Sequence, residues 1–211
     1  TFNVDELIVN IEAKTQSWTE SLHKLITQLW GGEQANQLIN KYENGFSKSY
    51  KEQFSAKQAI SAITNLEKLD ATSPFQFQIV RASQGLKNTL VLNIYTLAQG
   101  IALSDSIPIL ENFDFRPLDE FSFKVTMAGQ VSSVNNLYSY TLEYPDSELD
   151  IEAIKTNLEQ ALSQVWLGNI ENDGYNKLLM SANLHIRQIV IIRAYGKYLR
   201  QLGLGYSEEY F

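Results

Sequence analysis

Hydrophobic and polar positions along the chain change their period twice, and the changes mark three parts. From Val4 to about Leu29 the pattern is helical, with Trp18, Leu22, Leu25 and Leu29 on one face. Gly31-Gly32 should end that helix. Glu33 to Tyr42 forms a second helical run with Ala35, Leu38, Ile39 and Tyr42 on one side, and Gly45-Phe46-Ser47 interrupts it. Ser55 followed by Gln58 is a capping-box signature, in which each side chain satisfies the other residue's backbone N–H. The helix behind it carries Ala59, Ile60, Ile63, Leu66 and Leu69. The stretch from Asp70 to Pro74 reads as a loop, which sets off a helical subdomain over residues 1–73.

Residues 74–149 switch to period two. Phe75, Phe77 and Ile79 alternate with Gln76 and Gln78 as on a half-buried strand, and Leu90, Leu92 and Ile94 repeat the pattern beyond a turn at Gln84 to Asn88. The two runs are expected to pair as a hairpin. Ser104 to Phe113 reads as a short helix, whose Pro108 is tolerable only near the first turn, where amides lack intrahelical partners. Phe115 to Val125 is extended, with Phe121, Phe123 and Val125 on one face, and Val131 to Asn136 reads as a turn. Tyr138, Tyr140, Leu142 and Tyr144 then share a strand face, and Pro145, having no amide donor, ends the strand.

Residues 150–211 return to helix. Asp150 is placed to cap a run, extending to about residue 168, in which Ile151, Ile154, Leu158, Ala161, Leu162, Val165 and Trp166 form an apolar stripe. Asp173-Gly174 marks a break before Tyr175 to Ser181. The run from Asn183 to Gln201 is apolar at nearly every angle of the wheel: Leu184, Ile186, Ile189, Val190, Ile191, Ile192, Ala194, Tyr195 and Leu199. Such a helix is expected to be buried over most of its length. It is not a membrane span, because Arg187 and Arg193 interrupt a run far short of the roughly 20 residues needed. Gly203 stands where a C-terminal stop signal belongs. Helices, then strand, strand, helix, strand, strand, helix, then more helices predict an α+β fold around an antiparallel sheet of about four strands.

Composition narrows the function classes. With 211 residues, 44% hydrophobic and 19% charged, the chain can bury an ordinary core. Its formal net charge of −7 argues against a nucleic-acid partner and against an anionic membrane surface. There are no cysteines, which removes disulfides, thiol nucleophiles and thiolate metal sites. The first ten residues have neither a basic start nor a continuous apolar run, so no signal peptide is read and a cytoplasmic location is the expectation. A start at Thr1, and a Ser207-Glu208-Glu209 stretch that reads as the opening of another helix, are expected of a domain cut from a longer polypeptide.

No constellation of residues carries obvious chemistry. Gly203 and Gly205 follow a helix, and Glu208 stands where a dinucleotide turn needs its third glycine. His23 and His185 lack ligand spacing. Asp119 and Glu120 are strand neighbours that should point to opposite faces. Ser104-Asp105 reads most simply as a helix cap, or else as a ligand contact where helix amides favour anions. The tyrosines 138, 140 and 144 read as a packed sheet face rather than an RNA-stacking platform, because no basic surface accompanies them. Arg193, Lys197 and Arg200 share one face near a helix C-terminus. There they either complement the helix dipole and meet solvent, or form an anion-binding or interdomain salt-bridge face.

Three blocks carry a resemblance. They are Ile101 to Asn112 with Phe113 to Val125 behind it; Val165-Trp166-Leu-Gly168 followed by Asn172-Asp173-Gly174-Tyr175-Asn176; and the Asn183 helix with Arg193-Ala-Tyr195 and Lys197 to Gln201. Together and in this order they resemble the large bacterial NAD-specific glutamate dehydrogenases, with Trp18, Tyr42, Phe46 and Tyr50 fitting more loosely. That family commonly has a Trp where this chain has Ile186 and a Pro where it has Ser47, so the chain reads as a divergent member. The resemblance implies an ACT-like, ferredoxin-like module over 74–149, its second helix running on to about 168, between N-terminal helices and a C-terminal helical segment. It also implies a piece lying ahead of a Rossmann-type catalytic domain. This segment would have no activity and no cofactor of its own, NAD belonging to a parent oxidoreductase that deaminates L-glutamate to 2-oxoglutarate. Regulation and assembly are the implied roles, with the catalytic domain of the same polypeptide and further subunits of a homo-oligomer as partners, and an amino acid as a possible effector. Ser104, Asp105, Glu111, Asn112, Arg193, Lys197 and Arg200 are the implied effector or interface contacts. The alternative is an independent ferredoxin-like interaction module without enzyme activity.

Overall fold

The computed structural model describes residues 17–82, 87–128, 134–145 and 148–202. The expected helical start before Ser17, most of the turn from Gln84 to Asn88, Val131 to Ser133, the Gly203 stop signal and the Ser207 to Glu209 helix start lie outside them. The chain divides into two compact units. The first is Thr1–Pro74 with Thr96–Ala98 and Phe123–Leu137; the second is Phe75–Tyr95, Gln99–Ser122 and Tyr138–Phe211.

The first unit opens with α1 (Trp18–Trp30), fixed at its start by Ser17, which forms a reciprocal capping box with Glu20. Gly31, at φ 64°, turns the chain into α2 (Gly32–Tyr42). The buried positions of α1 are Leu22 and Ile26, while Leu29 stands in solvent. The apolar face is therefore rotated from the expected Trp18-Leu22-Leu25-Leu29 stripe, because Ile26 packs inward in its place. The break at Gly45 to Ser47 is followed by a short helix that the pattern did not announce, α3 (Lys48–Gln53), capped by Ser47. Helix α4 (Ala56–Leu66) carries the expected Ser55–Gln58 capping box. Trp18, Phe46, Tyr50, Phe54 and Phe123 meet mostly edge to face, and the Trp18 indole donates to the Phe54 carbonyl at 2.8 Å. Gly45 is required where it stands, since a Cβ there would meet the Thr126 carbonyl oxygen at 2.5 Å.

Strands β1 (Phe75–Arg81), β2 (Thr89–Thr96), β3 (Arg116–Val125) and β4 (Asn135–Glu143) form one sheet in the order β1-β2-β4-β3, most of whose residues belong to the second unit. Helices α5 (Leu103–Asn112) and α6 (Ile151–Trp166) follow β2 and β4, and the outer strand β1 packs on α6. The element order β-β-α-β-β-α is the ferredoxin-like β-α-β-β-α-β plait with its last strand moved to the front. One core takes in Ile79, Leu92, Ile94, Tyr140 and Leu142 from the sheet, Leu110 from α5 and the Ile151–Val165 stripe of α6. The expected α+β class with four antiparallel strands is what the described residues form.

Several boundaries differ from the sequence expectation. Asn135 and Asn136 belong to β4 rather than to a turn, and Asn136 donates to the Thr96 hydroxyl at 3.3 Å. Helix α6 stops at Trp166. Helix α5 starts at Leu103, so Pro108 falls in its second turn and has no N–H to donate to the Ser104 carbonyl. Beyond α6 come a 3-10 turn (Gly174–Lys177), the one-turn helix α7 (Leu178–Ser181) and α8 (Ile186–Gln201). Asn183 has φ 51°, a left-handed conformation that a helix interior does not accept, so α8 starts three residues later than expected.

Candidate functional site

Helix α8 overturns the expectation of all-round burial. Only Ile189, Arg193 and Gly196 are buried, whereas Ile191, Tyr195, Tyr198 and Leu202 are 56%, 65%, 56% and 58% exposed. The wheel is apolar nearly all round, but the side that packs inward is chosen by a cation. Arg193 is held by a fork: Nε donates to Asp173 Oδ2 at 2.7 Å and Nη2 to Asp173 Oδ1 at 2.9 Å. Nη2 also donates to Asn176 Oδ1 at 2.7 Å and to the Glu171 carbonyl at 3.3 Å. A planar guanidinium matches such a bidentate carboxylate, and a lysine would not. Asp173 is oriented in turn by the Tyr175 amide, which donates to its Oδ1 at 3.1 Å and starts the 3-10 turn. One turn along α8, the Lys197 ammonium binds both carboxylate oxygens of Glu171. Reading these cations as helix-end solvation is therefore wrong for Arg193 and Lys197: both grip the segment 171–176. Arg200 is exposed.

Two further ties reach the same segment. Asn112, at the end of α5, donates to Asn172 Oδ1 at 3.1 Å, and Asn157 of α6 donates to the Leu184 carbonyl at 3.0 Å just ahead of α8. Tyr175 lies under α8, its ring 5.9 Å from the Arg193 guanidinium and its hydroxyl against Gly196, where a Cβ would collide with it. That buried hydroxyl has no hydrogen-bond partner.

Of the residues nominated from sequence, Arg193, Lys197 and Asn112 thus converge on one turn. Ser104 and Asp105 sit at the opposite end of α5, are exposed, and contact each other at 3.3 Å. They do not cap α5, because the cap position is Ala102, which has no side-chain acceptor. Glu111 is exposed. Sequence reasoning missed Glu171, Asp173, Asn176, Tyr175 and Gly196. The Asp173-Gly174 pair was legible as a break, but a break does not reveal which cation it receives.

Elsewhere the polar groups serve packing. The Tyr140 hydroxyl donates to Ser106 Oγ at 3.1 Å, and burial pushes its pKa up to about 12. Burial and the Glu67 carboxylate likewise push Tyr42 above the ordinary tyrosine range. Partial burial and the Asp119 charge raise Glu120, so these strand neighbours do feel each other. The Asp70 carboxylate is held low by bonds from Thr72 and the Ser73 amide, which close the loop after α4. Among the described residues no group of three or more His, Asp or Glu could hold a metal ion, and no helix is long and apolar enough to cross a membrane.

Three family profiles match the chain in order: glutamate dehydrogenase helical motif 2 over residues 25–69, the glutamate dehydrogenase ACT3 domain over 74–154, and glutamate dehydrogenase helical motif 3 over 170–211. The NAD-specific glutamate dehydrogenase of Halomonas elongata is 27% identical over 99% of this chain, which covers 13% of that protein. The chain belongs to the large NAD-specific glutamate dehydrogenase family. The enzymes of that name from Pseudomonas aeruginosa and Mycobacterium tuberculosis are 27% and 29% identical over 92% and 80% of this chain, covering 12% and 10% of their own lengths. The chain therefore spans about an eighth of the length of the glutamate dehydrogenases it matches. The Arg193 network falls wholly within glutamate dehydrogenase helical motif 3, and the sheet within ACT3.

The described residues do not fit an NAD site. A dinucleotide fold needs a parallel sheet and a glycine-rich turn between a strand and a helix. Here the sheet is antiparallel, and the β2–α5 connection contains the single glycine Gly100.

Proposed function

We propose that this chain is a non-catalytic structural and regulatory segment of an NAD-dependent glutamate dehydrogenase. The parent reaction, oxidative deamination of L-glutamate to 2-oxoglutarate, belongs to a part of the polypeptide outside these residues, as does the NAD. The observation that carries the reading is the Arg193 fork. It fixes a helix with its larger apolar side chains turned outward, an arrangement suited to transmitting position and not to chemistry. Subunit assembly and amino-acid-linked control are the two forms this role takes, in a cytoplasmic homo-oligomer.

The test compares the full-length gene product with the 211-residue chain. Glutamate-dependent NAD reduction is expected from the former and none from the latter. Calorimetry with common amino acids, and light scattering, then separate control from assembly. A full-length product with no dehydrogenase activity, together with a monomeric segment that binds no amino acid, would sink the reading and favour an independent interaction module.

A further inference from the structure

The two outer strands of the sheet are protected in different ways. Strand β3 carries Arg116, Pro117, Asp119, Glu120 and Lys124, the charges and the proline that keep an edge from accepting another strand. The Glu120 amide is occupied as well, donating to Asp119 Oδ1 at 2.8 Å. Strand β1 carries none of this ahead of Arg81. Its run from Phe75 to Val80 consists of Phe, Gln, Ile and Val, without a charge or a proline. Windows of that composition pair with copies of themselves when their edge is open.

One side chain from another element closes this edge. The Pro74 carbonyl accepts from the Leu97 amide, on the β2 side. Backbone groups alternate along an antiparallel strand, so those of Gln76 and Gln78 face β2 and those of Phe75, Phe77 and Ile79 face away from it. The outward Ile79 amide donates to Glu159 Oε1 at 2.7 Å. Glu159 stands half-buried on α6, next to the buried Leu158. Packing of the α6 stripe thus delivers a charged acceptor to the β1 edge, and a carboxylate holds an N–H more strongly than a neutral oxygen does.

The sequence of β1 selects what that acceptor keeps out. Laid antiparallel with Phe77 opposite Phe77, a second copy sets Phe75 against Ile79 and Gln76 against Gln78, with no charge opposed. In that register the Ile79 amide must donate to the Phe75 carbonyl of the second copy, and it is the amide that Glu159 occupies. We propose that Glu159 is an autoinhibitory latch: closed on the Ile79 amide it blocks strand addition, and when it is withdrawn β1 pairs with β1 of a second copy of this chain. The inference rests on the sheet geometry and stands apart from the dehydrogenase reading.

The experiment uses the full-length gene product as two separate variants, Gln76→Cys and Gln78→Cys, each made with Glu159 kept and with Glu159→Ala. The two are mixed, oxidised, digested and read by mass spectrometry. With Glu159→Ala, peptides joining position 76 of one copy to position 78 of the other should be roughly tenfold or more above their level with Glu159 kept, and should rise with protein concentration. They should also exceed 76–76 and 78–78 links by roughly tenfold, a register that collapsed chains do not select. Glu159→Gln, which keeps an acceptor oxygen at the same reach, should stay within about twofold of the protein with Glu159 kept. In the unaltered protein the Ile79 amide should exchange hydrogen roughly tenfold or more slowly than an unstructured amide, a reading that needs no substitution. Four results overturn the proposal: links no more abundant with Glu159→Ala than with Glu159, links in no preferred register, Glu159→Gln linking as Glu159→Ala does, or exchange of the Ile79 amide at the unstructured rate. Dehydrogenase activity, read on the same preparations, scores the functional reading separately.

Discussion

Helices α6 and α8 are each sixteen residues long, lie in the same compact unit, and are stabilised in opposite ways. Helix α6 buries a continuous stripe of Ile151, Ile154, Leu158, Ala161, Leu162 and Val165. Helix α8 is richer in β-branched and aromatic residues, yet it buries Ile189, an arginine and a glycine and leaves two tyrosines and two large aliphatics in water. For α6 the hydrophobic effect selects the packed face. For α8 apolar residues lie on nearly every side, so hydrophobicity selects nothing, and the bidentate fit of Arg193 to Asp173 decides which side turns inward. The difference teaches that an apolar wheel predicts a helix but not its orientation when a buried ion pair competes.

The largest effect expected from breaking that contrast is at Arg193. Removing one partner of a buried, hydrogen-bonded pair costs about 3–5 kcal/mol. Arg193→Met is therefore predicted to lower the thermal midpoint by roughly 6–20 °C, at about 2–4 °C per kcal/mol for a chain of this size. Leu158→Ala on α6, a fully buried position, is expected to cost a similar ~2–5 kcal/mol. The two losses differ in how they are repaired. Adding Asp173→Leu to Arg193→Met should restore at least half the lost stability, because apolar residues replace an ion pair at little net cost. No partner substitution repairs a cavity at Leu158 so simply. Denaturant titration of the four variants reads this directly, and a loss under about 1 kcal/mol for Arg193→Met would refute the account of α8.

How much of this was legible beforehand follows from the same physics. The strands are legible because Phe77 and Ile79 alternate with partly exposed Gln78, and Leu90, Leu92 and Ile94 with partly exposed Val91 and Asn93, and period two has one reading in an antiparallel sheet. Helix α6 declared itself because its stripe is clean. The start of α8 is not legible in the sequence, since nothing in an Asn183-Leu184 pair announces a left-handed residue. The face of α8 is hidden from the sequence for a deeper reason. The residue types at Arg193 and Asp173 are ordinary on any helix end and in any turn, and only the chain path from Trp166 to Ile186 brings them within 2.7 Å. Asn112 joins them through Asn172 by the same route, whereas Ser104 and Asp105, equally plausible on paper, stand at the far end of α5.

A smaller effect sharpens the packing beneath α8. The Tyr175 hydroxyl fills the notch that Gly196 leaves and is buried without a hydrogen-bond partner. Gly196→Ala gains about 1 kcal/mol of helix propensity but forces an overpacked contact costing about 1–3 kcal/mol, so a net loss is predicted. Tyr175→Phe removes both the obstructing oxygen and its unmet desolvation, and is expected to be neutral or stabilising by about 1 kcal/mol. The double variant should then exceed the sum of the single changes, a coupling that a double-mutant cycle measures. Additive single effects would mean that the hydroxyl does not occupy the notch.

The smallest effect belongs to Lys197, and its smallness is informative. Its bond to Glu171 spans two side chains about half exposed, at 43% and 56%, where water and salt screen the attraction. An exposed pair of this kind contributes at most about 1 kcal/mol. Lys197→Met, which keeps the aliphatic stem, is predicted to change stability by less than that, and by still less in high salt. Arg193→Met should retain nearly its full cost in the same salt series, because its partner carboxylate is mostly shielded. The two cations lie one turn apart on one helix and bind adjacent stretches of the same loop, so a difference in salt sensitivity isolates burial as the cause. Equal salt dependence of the two variants would put Arg193 in the surface class as well, and the orientation of α8 would then need another origin.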